Sequence, residues 1–368
     1  MTLPPQTQPV KPSAADPVEE FLKRRKKATI NDVAALARVS KKTVSRIINN
    51  SPSVREETRE AVNAIIARIG FRPDPQARGL AFRRSFLLGL IYDNPNAQYI
   101  VNMQMGILDK VRGSGIELVV HPCDKTSDSF LEEIRDFVEL QRLSGVILLP
   151  PIAENRQLIQ VLEELAVPFV RITARHGDDN SPPIKTSQVV SRDRMGCQQA
   201  ADHLVELGHR RIGFIEGPHT YASAKERRQG FAEGLKAHGL DIDPAITAEG
   251  AYSFESGFEA GQKILSQPDR PTAIFASNDE MAIGAYKAAL QMGLSVPGDL
   301  SIIGFDDSPL ASRIYPALTT VRLPIRDMGR TAAETLIDQD NHRKHTMIFD
   351  AALVVRDSTA PAPKTFKP

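Results

Sequence analysis

The chain contains no tryptophan and only two cysteines among 368 residues. Cys123 and Cys197 stand in unrelated segments without CxxC spacing, so neither a disulfide framework nor a zinc site is expected, and a reducing cytoplasm is the compartment that fits. Long hydrophobic runs are missing too: no apolar stretch reaches the ~20 residues that a spanning helix needs. The opening MTLPPQTQPVKPSAADP lacks the apolar centre of a secretory signal and is rich in proline and polar residues. It predicts a disordered, basic-ended tail over 1–27. Catalytic signatures are absent as well, with no P-loop, no GxGxxG after a strand, no GxSxG and no clustered His/Cys/Asp pattern. No enzyme activity, metal or cofactor is expected.

Net charge, at +1, is also nearly lacking, yet its distribution is uneven. Between Phe21 and Arg84 stand 16 Lys+Arg against 5 Asp+Glu, while the remainder of the chain is mildly acidic. A compact basic module on an acidic body is the electrostatic footprint of a polyanion binder. The run Lys23–Lys27 (KRRKK) alone would signify only a solvated patch.

The module itself, residues 28–72, opens with TINDVAALARVSKKTVSRIINN and predicts three short helices. Thr29, three residues before Asp32, caps the first, which carries Val33, Leu36 and Ala37 on one face. Ser40 caps the second, where Val44, Ile47 and Ile48 face inward and Lys41, Lys42, Thr43, Ser45 and Arg46 form the polar face. Ser53 and Glu56 have capping-box spacing for the third, which ends at Gly70. Two short helices joined by the turn ARVS, the second with its polar face free, are what a helix-turn-helix needs to enter a DNA groove. Residues 73–84 follow. Pro73 stops the helix, and Gln76–Ala81 has one or two potential turns with Gly79 inside, which suits either a marginal hinge helix or a plain linker.

From Phe86 the period changes. Strand-like runs (FLLGLIYD, IELVVHP, GVILLP, PFVRIT, then RIGFIEG, AIFASND, SIIGFDD) alternate with helical patterns, which predicts βαβ units in parallel sheets. The expected fold is α/β: a helix-turn-helix module plus a two-lobed, doubly wound body over 85–358. Its N-subdomain is expected over 85–186 and 319–340, its C-subdomain over 187–318 and 341–358, and a tail over 359–368. Ligand is expected at the carboxyl ends of the strands, between the lobes.

Several long stretches together, ATINDVAALARVSKKTVSRIINN, VREETREAV, GFRPDPQARGLA, LVELGHRRIGFIEGP, ERRQGFAEGL, IFASNDEMAIGAYKAALQMGLSVPGDLSIIGFDD and LTTVRLP, resemble the lactose/galactose-repressor (LacI/GalR) family of transcription regulators. The resemblance runs over nearly the whole chain after Lys27. It implies a periplasmic-binding-protein-like body and a homodimer, sometimes a tetramer, on pseudo-palindromic double-stranded operator DNA. It further implies a repressor, with an activator as the alternative, of carbohydrate-utilisation genes whose affinity is switched by a sugar or sugar derivative. The family's recognition helix falls on Ser40–Arg46 and its minor-groove hinge on Gln76–Ala81. Leu80 takes the place of the intercalating leucine, Ala77 lies against the groove floor and Arg78 reaches phosphate. Thr29, Ser45 and Asn49 have short polar groups suited to phosphate contacts. Lys41 and Lys42 occupy the two variable specificity positions, where a cation can read guanine or neutralise phosphate.

For the effector, the resemblance implies Asp93, Tyr99, Arg227, Asn278 and Asp306, with Tyr99 or a phenylalanine as the stacking surface in the absence of tryptophan. In VPFVRIT, Thr173 stands where the family has an acid and Arg171 where it has an apolar residue, which points to a sugar acid or other non-sugar metabolite as an alternative effector, while Arg171 is equally able to form a salt bridge within the fold. Asp93, Asn278 and Asp306 are equally able to cap helices or turns. A sugar-binding transport protein explains the two-lobed body as well, but not the basic module.

Overall fold

The computed structural model describes residues 16–23, 27–48, 53–71, 86–174, 186–338 and 345–364. It divides into two units, 1–84 and 85–368.

The first unit is a helical bundle of α1 (Pro17–Lys23), α2 (Ile30–Leu36), α3 (Lys41–Ile48) and α4 (Glu56–Ile69). Thr29 caps α2 through a reciprocal box: its hydroxyl accepts from the Asp32 N–H at 3.4 Å, and its own N–H donates to the Asp32 carboxylate at 2.8 Å. Ser40 Oγ accepts from the Thr43 N–H at 3.0 Å and starts α3. The expected box at Ser53 does not form the cap of α4. The first helical carbonyl belongs to Arg55, which accepts from Thr58 and Arg59, so Glu56 stands at the first helical position rather than the third. Gly70 ends α4 at φ 64°, where a side chain would be strained. Val33, Ala34, Val44, Ile47, Val62, Ile69 and Phe71 make the core.

A second departure concerns the expected tail. Residues 17–23 form a helix: Asp16 Oδ1 accepts from the Val18 N–H, Pro17 suits the first turn, and Val18 and Phe21, three apart, pack into the bundle core.

The second unit holds two six-stranded sheets of matching order. The first runs β2 (Glu117–Pro122), β1 (Leu87–Tyr92), β3 (Gly145–Leu148), β4 (Phe169–Thr173), β5 (Ser187–Arg192), β11 (Thr346–Asp350). The second runs β7 (Thr247–Glu249), β6 (Ile212–Glu216), β8 (Ala273–Ala276), β9 (Ser301–Asp306), β10 (Thr319–Arg322), β12 (Ala352–Val354). Every pairing is parallel except β10 with β12. The central strands, such as GVIL and AIFA, are buried along their whole length because helices cover both faces.

The chain crosses between lobes three times, and the crossings differ from the expected boundaries. β5 pairs with β4 in the first sheet and α8 (Asp193–Glu206) then enters the second lobe, so the first crossing lies at Arg192–Asp193 rather than at 186/187. β10 belongs to the second sheet, and the return comes after it, before α12 (Ile325–Ile337), which packs on α5 (Ala97–Val111). β11 belongs to the first sheet and the last crossing is at Ala351. Apolar periodicity marks a strand but not which sheet it joins. Residues 359–364 are likewise no loose tail: Ala360 bonds Ser301 and His209, and the Ala362 N–H donates to the Leu207 carbonyl. Where α5 crosses α12, a Cβ on Gly106 would sit 1.9 Å from the Arg326 carbonyl oxygen, so only glycine permits this approach.

Candidate functional site

The first candidate surface is α3. Its apolar positions Val44 and Ile47 are buried and tie it to α2 and α4, while Lys41, Lys42 and Arg46 are exposed, and Thr43 and Ser45 are half-buried. Among the described residues these three cations have no acidic partner. Ser40 and Thr29, both exposed, stand at the starts of α3 and α2. Asn49 and the hinge positions Ala77, Arg78 and Leu80 lie outside the described residues.

The second candidate lies between the lobes, at the carboxyl ends of both sheets. A cavity of about 40 Å³ is bordered by Asn94, Asn96 and Tyr99 after β1, Thr173 on β4, and Ser191 and Asp193 at the first crossing. The second lobe supplies Tyr221, Ser223 and Arg227 after β6, Tyr252 after β7, and Asp306 at the end of β9. Strand order reverses beside β1 and β6, which opens a crevice there in each sheet.

Arg227, on α9 (Ala222–Ala237), is the organising group. It is 6% exposed, with Nε donating to Asp193 Oδ2 at 2.7 Å, a further N–H donating to the Ser277 carbonyl, and Nη2 3.7 Å from Asp306 Oδ1. Its guanidinium lies 3.7 Å above the Phe305 ring. Burial opposes its charge, but Asp193, Tyr252 and Asp306 outweigh that and hold the pKa above the ordinary arginine value. Asp193 also accepts from Ser191 Oγ at 2.5 Å, so the first crossing is hydrogen-bonded on both sides.

Asp306 is pushed up to about 7, chiefly by burial. Arg227 pulls it down, Asp279 and Asp193 push it up, and the hydrogen bond from Asn96 pulls it down. That bond, Asn96 Nδ2 to Asp306 Oδ2 at 2.9 Å, joins the two lobes. Asp306 and Tyr252 adopt φ values of 114° and 61°, and such strained backbone gathers at functional sites. Gly217 leaves the space that the Tyr252 ring occupies, since a Cβ there would lie 2.3 Å from it.

Of the effector residues expected from the sequence, Tyr99, Thr173, Arg227 and Asp306 meet at this cavity. Tyr99 is half-buried, and the loss of water around its phenol raises the pKa. Three others do not line it. Asp93 stands at the rim, where it pairs with Lys125 at 3.5 Å, and Lys125 in turn sits 4.7 Å over the Tyr221 ring of the other lobe. Asn278 is the N-cap of α11 (Asp279–Gln291): Oδ1 accepts from the Met281 N–H and Nδ2 donates to the Tyr252 carbonyl. Arg171 is buried within the first lobe, donating to Thr186, Gln188 and the Ala153 carbonyl. Its guanidinium satisfies the polar groups beside a covered strand, which a sequence pattern does not distinguish from a ligand contact.

Sequence reasoning missed Asn96, Asp193, Tyr221 and Tyr252. The two tyrosines pack edge-to-face, 5.5 Å apart, and supply the aromatic wall sought at Tyr99 or a phenylalanine. The Tyr252 hydroxyl is buried without a well-formed hydrogen bond among the described residues. Asp193 opens a helix directly after a strand, the one signal that was available.

Among the described residues no group of His, Cys, Asp and Glu could hold a metal ion, and no helix is long and apolar enough to cross a membrane.

An exposed cationic helix on a helical module, together with a two-lobed body that holds a cavity between its lobes, is the arrangement of a ligand-responsive DNA-binding regulator. Comparison with known proteins gives the family. The pattern described as "Bacterial regulatory proteins, lacI family" matches residues 29–74, and that of a "Periplasmic binding protein-like domain" matches residues 201–359. The probable HTH-type transcriptional repressor ExuR of Bacillus subtilis is 31% identical over 90% of this chain and 98% of its own length. The HTH-type transcriptional regulator CelR of Thermobifida fusca is 32% identical over 92% of this chain and 100% of its own. Among solved structures, the lac repressor dimer bound to operator and the anti-inducer ONPF is 30% identical, with a TM-score of 0.74 over 91% of this chain and 100% of that one. The chain belongs to the LacI family of transcriptional regulators.

Proposed function

We propose that this chain is a sequence-specific DNA-binding repressor, acting as a homodimer in the cytoplasm, whose operator affinity is set by a small neutral polyhydroxy effector held between its lobes. One observation carries the reading. The same chain offers an exposed cationic α3 face without acidic partners among the described residues and an interlobe cavity organised by Asp193, Arg227 and Asp306.

The charge inventory favours a neutral effector over a sugar acid. Arg171, the residue that suggested an acidic ligand, is consumed inside the first lobe. Arg227 is the only cation among the described residues at the cavity, and it already faces two carboxylates. An added carboxylate would have to compete with both. Hydroxyl groups instead match the carboxylate oxygens, Asn96 and the Tyr252 hydroxyl, and the two tyrosine rings suit an apolar sugar face. A cavity of about 40 Å³ has room for water rather than a hexose, so ligand entry and lobe separation go together.

Dimerisation is supported by Val101, Met105 and Leu108 on α5, which recur at helical spacing and are 48%, 39% and 38% exposed, and by Tyr315 at 92%. DNA contacts are assigned to Thr29, Ser40, Lys41, Lys42, Thr43, Ser45, Arg46 and Asn49, with Ala77, Arg78 and Leu80 at the hinge. The regulated genes would be those of carbohydrate utilisation, in keeping with relatives such as the ribose operon repressor of Haemophilus influenzae.

The test is selection of bound duplexes from random DNA, followed by titration with neutral sugars and sugar acids. The expected result is a two-half-site palindrome whose affinity shifts about 5–150-fold with a neutral sugar. Binding without sequence preference would overturn the reading.

A further inference from the structure

We propose that α1 is a docked arm that presents Lys23 and Lys27 to DNA phosphates flanking the half-site read by α3. The inference rests on the DNA-binding reading above and adds a contact site to it. The residues matching the lacI-family pattern begin at Thr29, so α1 and the basic run precede the part of the chain that defines the family.

A seven-residue helix is too short to persist alone, and this one owes its existence to docking. Val18 is 5% exposed, Phe21 packs into the bundle core, and Asp16 pairs with Arg68 of α4 at 2.5 Å. The helix is also polarised along its length. Its carboxylates, Glu19 and Glu20, stand in the first turn and Lys23 stands at the last position. Lys23 and Lys27 are both exposed, and among the described residues neither has an acidic partner. The sequence between them is Arg24-Arg25-Lys26, outside the described residues.

Chain length limits where these lysines can be. Lys27 is two residues from Thr29 and Lys23 is six, so their Cα atoms lie within about 7 and 21 Å of the α2 cap. At 3.4 Å rise per nucleotide, the longer distance covers roughly six steps of one strand beyond a phosphate held near Thr29. Two cations tethered this close to a DNA-facing module, and fixed to its core from both sides, reach the backbone without the ordering cost that a free tail pays on binding. Phosphate contacts carry no base preference, so the arm adds affinity and leaves specificity to α3.

The experiment measures binding of the full-length protein to its selected operator, with and without 10-bp flanks, between 50 and 200 mM KCl. For the Lys23→Ala/Lys27→Ala variant, the slope of log K against log salt is expected to fall in magnitude by about 0.9 per lost contact, hence about 2 per protomer, with unchanged base preference. Removing the flanks should weaken the unmodified protein and leave this variant unaffected. A second variant, Val18→Asp, keeps every cation but undocks α1, and is expected to lose affinity while unfolding of the rest of the module, followed by circular dichroism, remains cooperative. An unchanged salt slope in the double variant, or full affinity after undocking, overturns the proposal. Failure of the unmodified protein to prefer any duplex overturns the regulator reading itself.

Discussion

Asn96, which caps α5 in the first lobe, and Asp306, which ends β9 in the second, meet across the cleft, the Asn96 amide donating to Asp306 Oδ2 at 2.9 Å. The bond draws on an acid that burial has brought to about 7, so its strength and the acceptor capacity of the cavity change near neutrality. Ionised Asp306 accepts hydroxyl protons with both oxygens, whereas the protonated form keeps one site for its own hydrogen. Effector affinity is therefore expected to rise between pH 6 and 8, and titration calorimetry across that range checks it. Asn96→Ala should weaken the effector about tenfold, the loss of one hydrogen bond to a charged group. An Asp306→Asn variant with the same pH profile as the unmodified protein would reject the assignment.

Asp279 makes a separate prediction about stability. It opens α11, accepting from the Ser308 N–H at 2.6 Å and the Thr320 hydroxyl at 2.5 Å, and burial raises its pKa to about 7 despite these bonds. In the unfolded chain an aspartate titrates near 3.9. Between those values the folded state holds a proton that the unfolded state has released. The stabilising share of this group is thus fully present below about pH 4 and lost as pH rises through 7. Urea unfolding of the body at pH 5, 6, 7 and 8 should show this decline, and Asp279→Asn should reduce it to the share of Asp306, which burial also raises to about 7. An identical slope in the variant would assign the decline to other groups.

Much of this arrangement was legible from residue pattern, but unevenly. The caps at Thr29 and Ser40, the αL stop at Gly70 and the alternating strands follow from local chemistry, which sequence reports directly. The sheet to which a strand belongs depends on distant partners, which is why β5, β10 and β11 were placed in the wrong lobes. At the cleft, Arg227 and Asp306 were reached through the family resemblance, since Arg227 stands among other charges in KERRQGF and Asp306 beside a second acid in GFDD. Asn96 and Tyr252 were not reached, because their roles arise from a bond across lobes and from a left-handed backbone. Arg171, in the middle of β4, and Asn278, just past β8, show the converse: polar residues whose hydrogen-bond partners are internal.

Asn278 and Arg227 can be told apart by what each loss disturbs. Asn278→Ala removes a helix cap and should destabilise the body by about 1–2 kcal/mol, with the effector response intact. Arg227→Ala leaves Asp193 and Asp306 buried without their cation, a change expected to cost about 3–5 kcal/mol and to abolish the effector response together. Denaturant unfolding paired with effector titration separates the two. Loss of effector binding in a stably folded Asn278→Ala protein would return that residue to the cavity.

The last prediction concerns Lys41, the first residue of α3, exposed and without an acidic partner among the described residues. A helix that enters the major groove by its N-terminal end brings its first side chains to base edges, where a lysine ammonium donates to guanine O6 and N7. Val44 and Ile47, buried beneath it, fix the rotation of α3 and therefore the direction of this side chain. Lys41→Ala is expected to relax preference at one base pair of each half-site and to cost about 1–3 kcal/mol on the preferred operator, with little change in the salt slope. Selection from random duplexes reads the first quantity and titration at several salt concentrations the second. Uniform weakening on all sequences, with a slope smaller by about 0.9, would instead place Lys41 on a phosphate and leave Lys42 or Arg46 to read the base.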